Sequence, residues 1–167
     1  MKKNYGFVCI VAAGLCSLAS GPGHAENGTV DIVLSAVSNV YAVEMGETTV
    51  TARGGNGTVR FVNSSGRPFE GASETFQYAG FSKKTPSGLE LEADGVATFS
   101  SEDTLLLLFE RQSGDPGTSR EGTLHLMGGT GRFTGVGGKC KYEMDDLPGA
   151  WNVTSAKCQW LYSFPYR

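Results

Sequence analysis

The sequence predicts an all-β protein with minimal helix, folded as an antiparallel sandwich or a closed barrel. Short β-forming runs recur from Gly28 onward between clusters of Gly, Asn, Ser, Asp and Pro, and no stretch has a sustained helical period. Glycine supplies 24 of the 167 residues, while 40% hydrophobic content is too high for a disordered chain. Closure into a barrel is favoured because it removes the strand edges that an exported protein must protect.

The first 25 residues have the pattern of a secretory signal peptide. A basic start at Met1-Lys2-Lys3 precedes an apolar run from Gly6 to Ala19, and small residues occupy the cleavage positions in Gly23-His24-Ala25. The apolar run is shorter than the roughly 20 residues needed to span a bilayer. We therefore predict cleavage near Ala25, a secreted or periplasmic location, no transmembrane segment, and a single β-barrel domain over residues 26–167.

The charge of the chain argues against nucleic acid as a partner. The formal net charge is −3, and cleavage of the leader would make the chain more negative because it removes Lys2 and Lys3. Lys83-Lys84 is the longest basic run in the predicted mature chain. Such a chain offers neither a stripe that tracks phosphates nor a patch that binds an anionic membrane.

Two cysteines remain after the predicted cleavage, Cys140 and Cys158, and we predict that they form a disulfide. Each lies on the more apolar face of a strand with a two-residue period. The two strands flank residues 145–153, which contain Pro148-Gly149 and are predicted as the return loop. A redox-active or nucleophilic thiol is the alternative, and it would need a free thiolate beside a basic group.

His125 is the histidine that remains after cleavage, and it limits the available chemistry. A zinc site built from several imidazoles is excluded, and we predict no metal and no cofactor. The sequence lacks the Gly-x-Ser-x-Gly element of a serine hydrolase. Because Leu124 and Leu126 point to the other side of the strand, His125 faces solvent or a polar part of a lumen.

The β runs place strands at 29–36, 41–44, 48–53, 58–62, 74–81, 88–93, 96–100, 104–111, 120–127, 136–144 and 155–164. Gly54-Gly55-Asn56-Gly57 is predicted as a flexible turn. Asp94-Gly95 is predicted as a tight hairpin turn or as a bulge within one long strand.

Alternation along two of these strands predicts lumen residues. Phe76 and Tyr78 share one face of their strand, and Leu91 occupies the apolar face of the next. We predict that these three side chains line the interior. The carboxylates on the opposite face of the second strand are predicted to be solvated, because like charges inside a lumen would repel and lose hydration. They are Glu90, Glu92 and Asp94.

The segment from Gly128 to Gly138 is rich in glycine. It does not match a phosphate loop, because Gly138-Lys139 is followed by Cys140, and it does not match the dinucleotide pattern, because position 134 is threonine. A compact turn explains the composition better, with Phe133 filling an apolar end of the core before the next strand begins.

The string Gly-Gly-Thr-Gly-Arg-Phe-Thr-Gly in this segment resembles the signature of the allene oxide cyclase and dirigent β-barrel superfamily. The resemblance is specific over residues 122–143. It implies an antiparallel barrel of eight strands with an apolar lumen, often assembled as a trimer, in which the string joins two late strands. Plant members cyclise an oxidised fatty acid or hold phenoxy radicals for coupling, and their polar lumen residues have no residue-by-residue match here. The string carries over as a fold element at Gly128, Gly129, Thr130, Gly131, Phe133 and Gly135.

These observations lead to three functional hypotheses. The first is non-catalytic binding of a small apolar or aromatic ligand in the lumen. The second is an envelope or extracellular interaction protein that acts through its outer surface, with the apolar run from Leu105 to Phe109 as a contact in a homo-oligomer. The third is a metal-independent cyclase or isomerase for a lipid-derived or phenolic substrate, with Tyr78, Glu92 and His125 as its titratable candidates. We rank binding first and an enzyme last.

Overall fold

The computed structural model describes residues 26–112 and 120–162, which form a closed antiparallel barrel of eight strands. Each strand pairs with the next along the chain, and β8 pairs with β1 to close the barrel. The predicted all-β class and the closed barrel are confirmed. In chain order the strands are β1 (Glu26–Met45), β2 (Thr48–Val62), β3 (Thr75–Thr85), β4 (Gly88–Thr98), β5 (Thr104–Arg111), β6 (Glu121–Gly129), β7 (Val136–Leu147) and β8 (Trp151–Tyr162).

The predicted signal peptide lies outside the described residues, and so does the segment between β5 and β6 at positions 113–119. A single 3-10 turn, Gly131–Phe133, interrupts the strands of the described chain. In these same residues, no helix has both the length and the apolar character needed to cross a membrane.

The predicted strand breaks at 37–40, 54–57 and 94–95 are wrong, because β1, β2 and β4 run through them. At Gly57 a Cβ atom would overlap the backbone oxygen of Ser35, so this glycine permits close approach of β1 instead of a turn. At Gly95 a Cβ atom would lie 2.6 Å from the Phe76 ring. The pairing of β4 with both neighbours is continuous through Gly95, which excludes the hairpin and the bulge alike.

Aromatic side chains pack one end of the barrel shut, which we call the closed end. Phe133 is fully buried there, and its ring centroid lies 6.0 Å from that of Phe61, 5.8 Å from that of Phe69 and 5.0 Å from that of Phe99. Gly131 has a φ of +56° and lies against the Asp103 carboxylate, so the turn after β6 passes where a side chain would not fit. The glycine-rich turn thus carries Phe133 into the core.

The predicted disulfide is present. Cys140 on β7 and Cys158 on β8 lie directly opposite each other, face the interior and are bonded. The return loop is shorter than predicted, because the ladder continues to the pair Leu147 and Trp151 and leaves a turn at positions 148–150. The bond therefore crosslinks the interior of a long β hairpin.

The inner face of β5 is buried, as its apolar run predicts, with Leu105 and Leu107 in the core. The outer face is not covered by the described chain, and Leu106 remains 43% exposed. A covering subunit at this face stays a prediction.

Candidate functional site

The end of the barrel opposite Phe133, which we call the open end, contains a cavity of about 240 Å³. Its wall comes from β2, β3, β4, β5 and β7, at positions that share the inward parity of the buried core residues. The lining includes the side chains of Arg53, Lys84, Leu91, Arg111, Tyr142 and Met144.

Tyr142 forms the floor of this cavity. Its ring is buried and lies over Gly122 on β6, where any Cβ atom would overlap the ring. The Phe109 ring contacts it edge-on, with centroids 5.8 Å apart. Burial raises the pKa of the Tyr142 phenol above its usual value, and the positive charges of Arg111 and Arg53 act in the lowering direction. The phenol is therefore a neutral donor, held within electrostatic reach of two guanidinium groups.

The cations of the open end are incompletely compensated. The Nε atom of Arg53 is buried and has no hydrogen-bond partner among the described residues. Within the same part of the chain, neither Arg53 nor Arg111 forms an ion pair, whereas Arg120 at the rim pairs with Asp145. The cavity lining therefore combines four cations with one carboxylate, Asp146, and with the apolar walls of Leu91 and Met144.

A polar cluster lies deeper in the wall and ties three strands together. The hydroxyls of Tyr78 on β3 and Ser38 on β1 are hydrogen-bonded. Asn152 on β8 donates to Ser38 Oγ at 2.6 Å, and its Nδ2 lies 3.4 Å from the Tyr78 hydroxyl. The Phe76 ring stacks on Tyr78 with centroids 5.7 Å apart. The Tyr78 hydroxyl is thus held by the barrel wall, which suits a positioning role better than proton transfer.

The structure separates the sequence-derived candidates by face. Phe76, Tyr78 and Leu91 point into the lumen, and Leu91 contributes to the cavity wall. Glu92 is exposed on the outer face of β4, together with Glu90 and Asp94. His125 also lies on the outer face, where its Nε2 is 2.9 Å from Glu110 Oε2. The three catalytic candidates, Tyr78, Glu92 and His125, are therefore not brought together.

Arg53, Arg111 and Tyr142 were missed as site residues by reasoning from sequence. The signal was present for Arg111, which shares strand parity with Leu105, Leu107 and Phe109 and so has to point inward. For Arg53 the signal was hidden, because the adjacent glycines predicted a turn and ended the strand at that residue. The convergence of these side chains requires closure of the barrel.

Tyr142→Phe is expected to reduce the loss of stability at high pH. Because the folded-state pKa of Tyr142 is raised, its contribution is fully present below about pH 10 and is lost as the pH rises through the folded pKa. Urea unfolding at about pH 8 and about pH 11 should show a smaller alkaline loss in Tyr142→Phe than in the wild type. Tyr41→Phe, which changes a tyrosine exposed in the single chain, is the control and should behave as the wild type at protein concentrations too low for association. An equal alkaline loss in all three proteins would contradict the buried phenol.

No protein-family model matches this chain, and a search of curated proteins gives no significant match. In the described ranges, no group of three or more His, Cys, Asp or Glu side chains is arranged to hold a metal ion. The chemistry of the open end is therefore the observation from which a function is inferred.

Proposed function

We propose that this protein binds, without catalysis, a small molecule with an apolar or aromatic body and an anionic group in the open end of the barrel. The observation that carries the proposal is the pair Arg53 and Arg111, neither of which forms an ion pair within the described residues, beside the neutral phenol of Tyr142. Ligand sites in proteins typically combine apolar walls with a few convergent polar groups, as this cavity does.

The anionic group follows from the donors present. A guanidinium presents N–H groups in a planar fork that matches a carboxylate, and hydrogen bonds between charged partners are stronger than neutral ones. The buried Nε of Arg53 lacks an acceptor, and an unsatisfied donor of this kind costs about 1–3 kcal/mol. A bound carboxylate would supply the acceptor, and Tyr142 would donate a further hydrogen bond.

The size and the walls of the cavity restrict the rest of the ligand. A volume of about 240 Å³ lies below the roughly 300–1,000 Å³ of sites for drug-sized molecules. It suits a body of about one ring or a short acyl chain. Leu89, Leu91 and Met144 provide apolar contact, and the unbranched thioether of methionine adapts to ligands of different shape.

The proposal includes export and membership of the allene oxide cyclase and dirigent β-barrel superfamily. The glycine-rich string begins in the last two residues of β6 and continues through the 3-10 turn to the start of β7, and a connection between two late strands is the position that the resemblance implies. The disulfide is compatible with an oxidising compartment. Neither feature identifies a reaction, so the superfamily supports the binding proposal through its lumen and not through its chemistry.

Calorimetric titration of the purified protein tests the proposal. Benzoate and hexanoate should bind, and the neutral benzamide and hexanamide should bind at least about tenfold more weakly. Arg53→Gln should weaken the binding of both acids by about ten- to a hundredfold, corresponding to one lost charge-assisted hydrogen bond. Arg60→Gln is the matched control, because Arg60 lies on the same strand but is exposed on the outer face.

Two outcomes would contradict this function. Amides that bind as tightly as the acids would remove the anionic group from the proposal. Equal losses of affinity in Arg53→Gln and Arg60→Gln would show that overall charge, and not the open end, is responsible.

A further inference from the structure

The first strand leaves an unpaired edge beside the open end. β1 pairs with β8 as far as Val37, and the Ser38 N–H then donates to the Ala150 oxygen at 2.9 Å. β1 continues along β2 to Met45. No part of the described chain pairs with the other edge of residues 39–45, and all of these residues are exposed. We call residues 39–45 the β1 edge.

The backbone direction of the β1 edge follows from the neighbouring hydrogen bonds. Ser38 directs its N–H away from β2 and toward the β8 side. In an antiparallel strand, alternate residues direct their N–H and C=O groups to the same side. Val40, Ala42 and Glu44 therefore direct theirs to the open edge. Unpaired backbone groups of this kind are a template for another strand.

An exposed apolar patch adjoins the β1 edge on the outer face. Tyr41 and Val43 are 74% and 62% exposed, although they lie on a regular strand. Tyr41 pairs with Ala52, which pairs with Phe81, and Phe81 is 68% exposed. Trp151 continues the patch on the other side, opposite Val37. Contiguous exposed apolar surface of this kind marks an interaction site.

We propose that two copies of this chain join through their β1 edges as an antiparallel two-fold pair centred on Ala42. Ala42 is the midpoint of the edge and directs its backbone outward, so a two-fold axis there makes a hydrogen-bonded pair of identical residues. The same register places Tyr41 opposite Val43 of the second copy, an aromatic and β-branched combination that stabilises antiparallel sheets.

Charge favours a second copy in this register. The register centred on Ala42 places the two Glu44 carboxylates at opposite ends of the ladder, so that like charges are not adjacent. It also places Glu44 of the second copy opposite Val40, whose other neighbour is Arg53. Two strand spacings separate that glutamate from Arg53, about 10 Å, which permits attraction to the cationic open end without occupying the cavity.

Sedimentation equilibrium of the full chain tests the pairing. The wild type should form a dimer as its concentration rises from about 1 to about 500 μM, a range that detects weak association. Ala42→Pro removes the N–H that faces the second copy and leaves the β2 ladder intact, so the dissociation constant should rise at least about tenfold. Ala42→Lys places two like charges directly opposite each other across the two-fold axis and should have the same effect, which provides a second test if the proline variant does not fold. Circular dichroism monitors the fold of both variants.

Met127→Lys is the control, because Met127 is an exposed apolar residue on β6, away from the β1 edge. It should dimerise as the wild type does. Amide hydrogen exchange of Ala42 should slow as the concentration rises. A wild type that remains monomeric would overturn the proposal, as would a dimer or trimer insensitive to both Ala42→Pro and Ala42→Lys. Exchange protection that is independent of concentration would mean that the edge is covered within one chain, and would also overturn it.

Discussion

Phe133→Ala is expected to lower the free energy of unfolding by about 3–5 kcal/mol, as is usual for truncation of a large buried aromatic residue. The ring is fully buried and contacts three other phenylalanine rings at the closed end. The 3-10 turn that carries it is held between β6 and β7, so neighbouring backbone has little freedom to fill the space. Urea unfolding of the wild type and the variant measures the difference.

Phe81→Ala is the matched control, because it removes the same side chain from the outer face of β3. We expect a change of less than about 1 kcal/mol there at protein concentrations too low for association. A similar loss in both variants would contradict the assignment of the closed end as the principal aromatic core. Because Phe133 is remote from the cavity, the variant should keep its affinity for benzoate under conditions in which it is folded.

Loss of the disulfide is expected to lower the free energy of unfolding by about 3 kcal/mol. Cys140 and Cys158 are 18 residues apart in sequence, and the bond restricts that loop in the unfolded chain. The bond faces the interior between β7 and β8, so it constrains the hairpin that carries Tyr142. The variant that replaces both cysteines by alanine should unfold at lower urea concentration than the oxidised wild type.

Reduction of the wild type provides the control for this second result. Reduced wild type and the double-alanine variant should have similar stability if the constraint on the unfolded chain dominates. A double-alanine variant as stable as the oxidised wild type would show that the bond contributes nothing to folding. Calorimetric titration of the double-alanine variant with benzoate would then show whether the disulfide still contributes to ligand binding on the Tyr142 side of the cavity.

The two ends of the barrel place different demands on the chain. The closed end concentrates aromatic side chains with few polar groups, which suits close packing. Among the described residues, Trp160 Nε1 in the aromatic core and Arg53 Nε at the open end both lack a hydrogen-bond partner, which costs stability. Arg53, unlike Trp160, lines the cavity, where a ligand can supply the acceptor. Binding sites commonly retain such unsatisfied groups, because the ligand supplies the missing partner. The proposed function therefore predicts that bound acid stabilises the protein against unfolding.

The β class, the disulfide and the inward direction of Phe76, Tyr78 and Leu91 were accessible from sequence. Each depends on a local property: a two-residue period, a cysteine count in a chain with a predicted leader, or alternation along one strand. The number of strands was not accessible from periodicity, which predicted eleven runs, whereas the family resemblance implied the eight strands that are observed. Gly57 and Gly95 have the composition of turns, but neighbouring backbone and a neighbouring ring require them inside strands.

The sequence by itself determined which face of each strand is apolar, and so determined that this chain forms a β protein with an interior. The tertiary structure alone decided which side chains meet in that interior. Arg53, Arg111 and Tyr142 lie on three different strands, and they converge because the barrel closes with one particular register. The β1 edge likewise exists because β8 stops pairing at Val37 while β2 continues. Register and closure depend on contacts between residues far apart in sequence, which local periodicity does not encode.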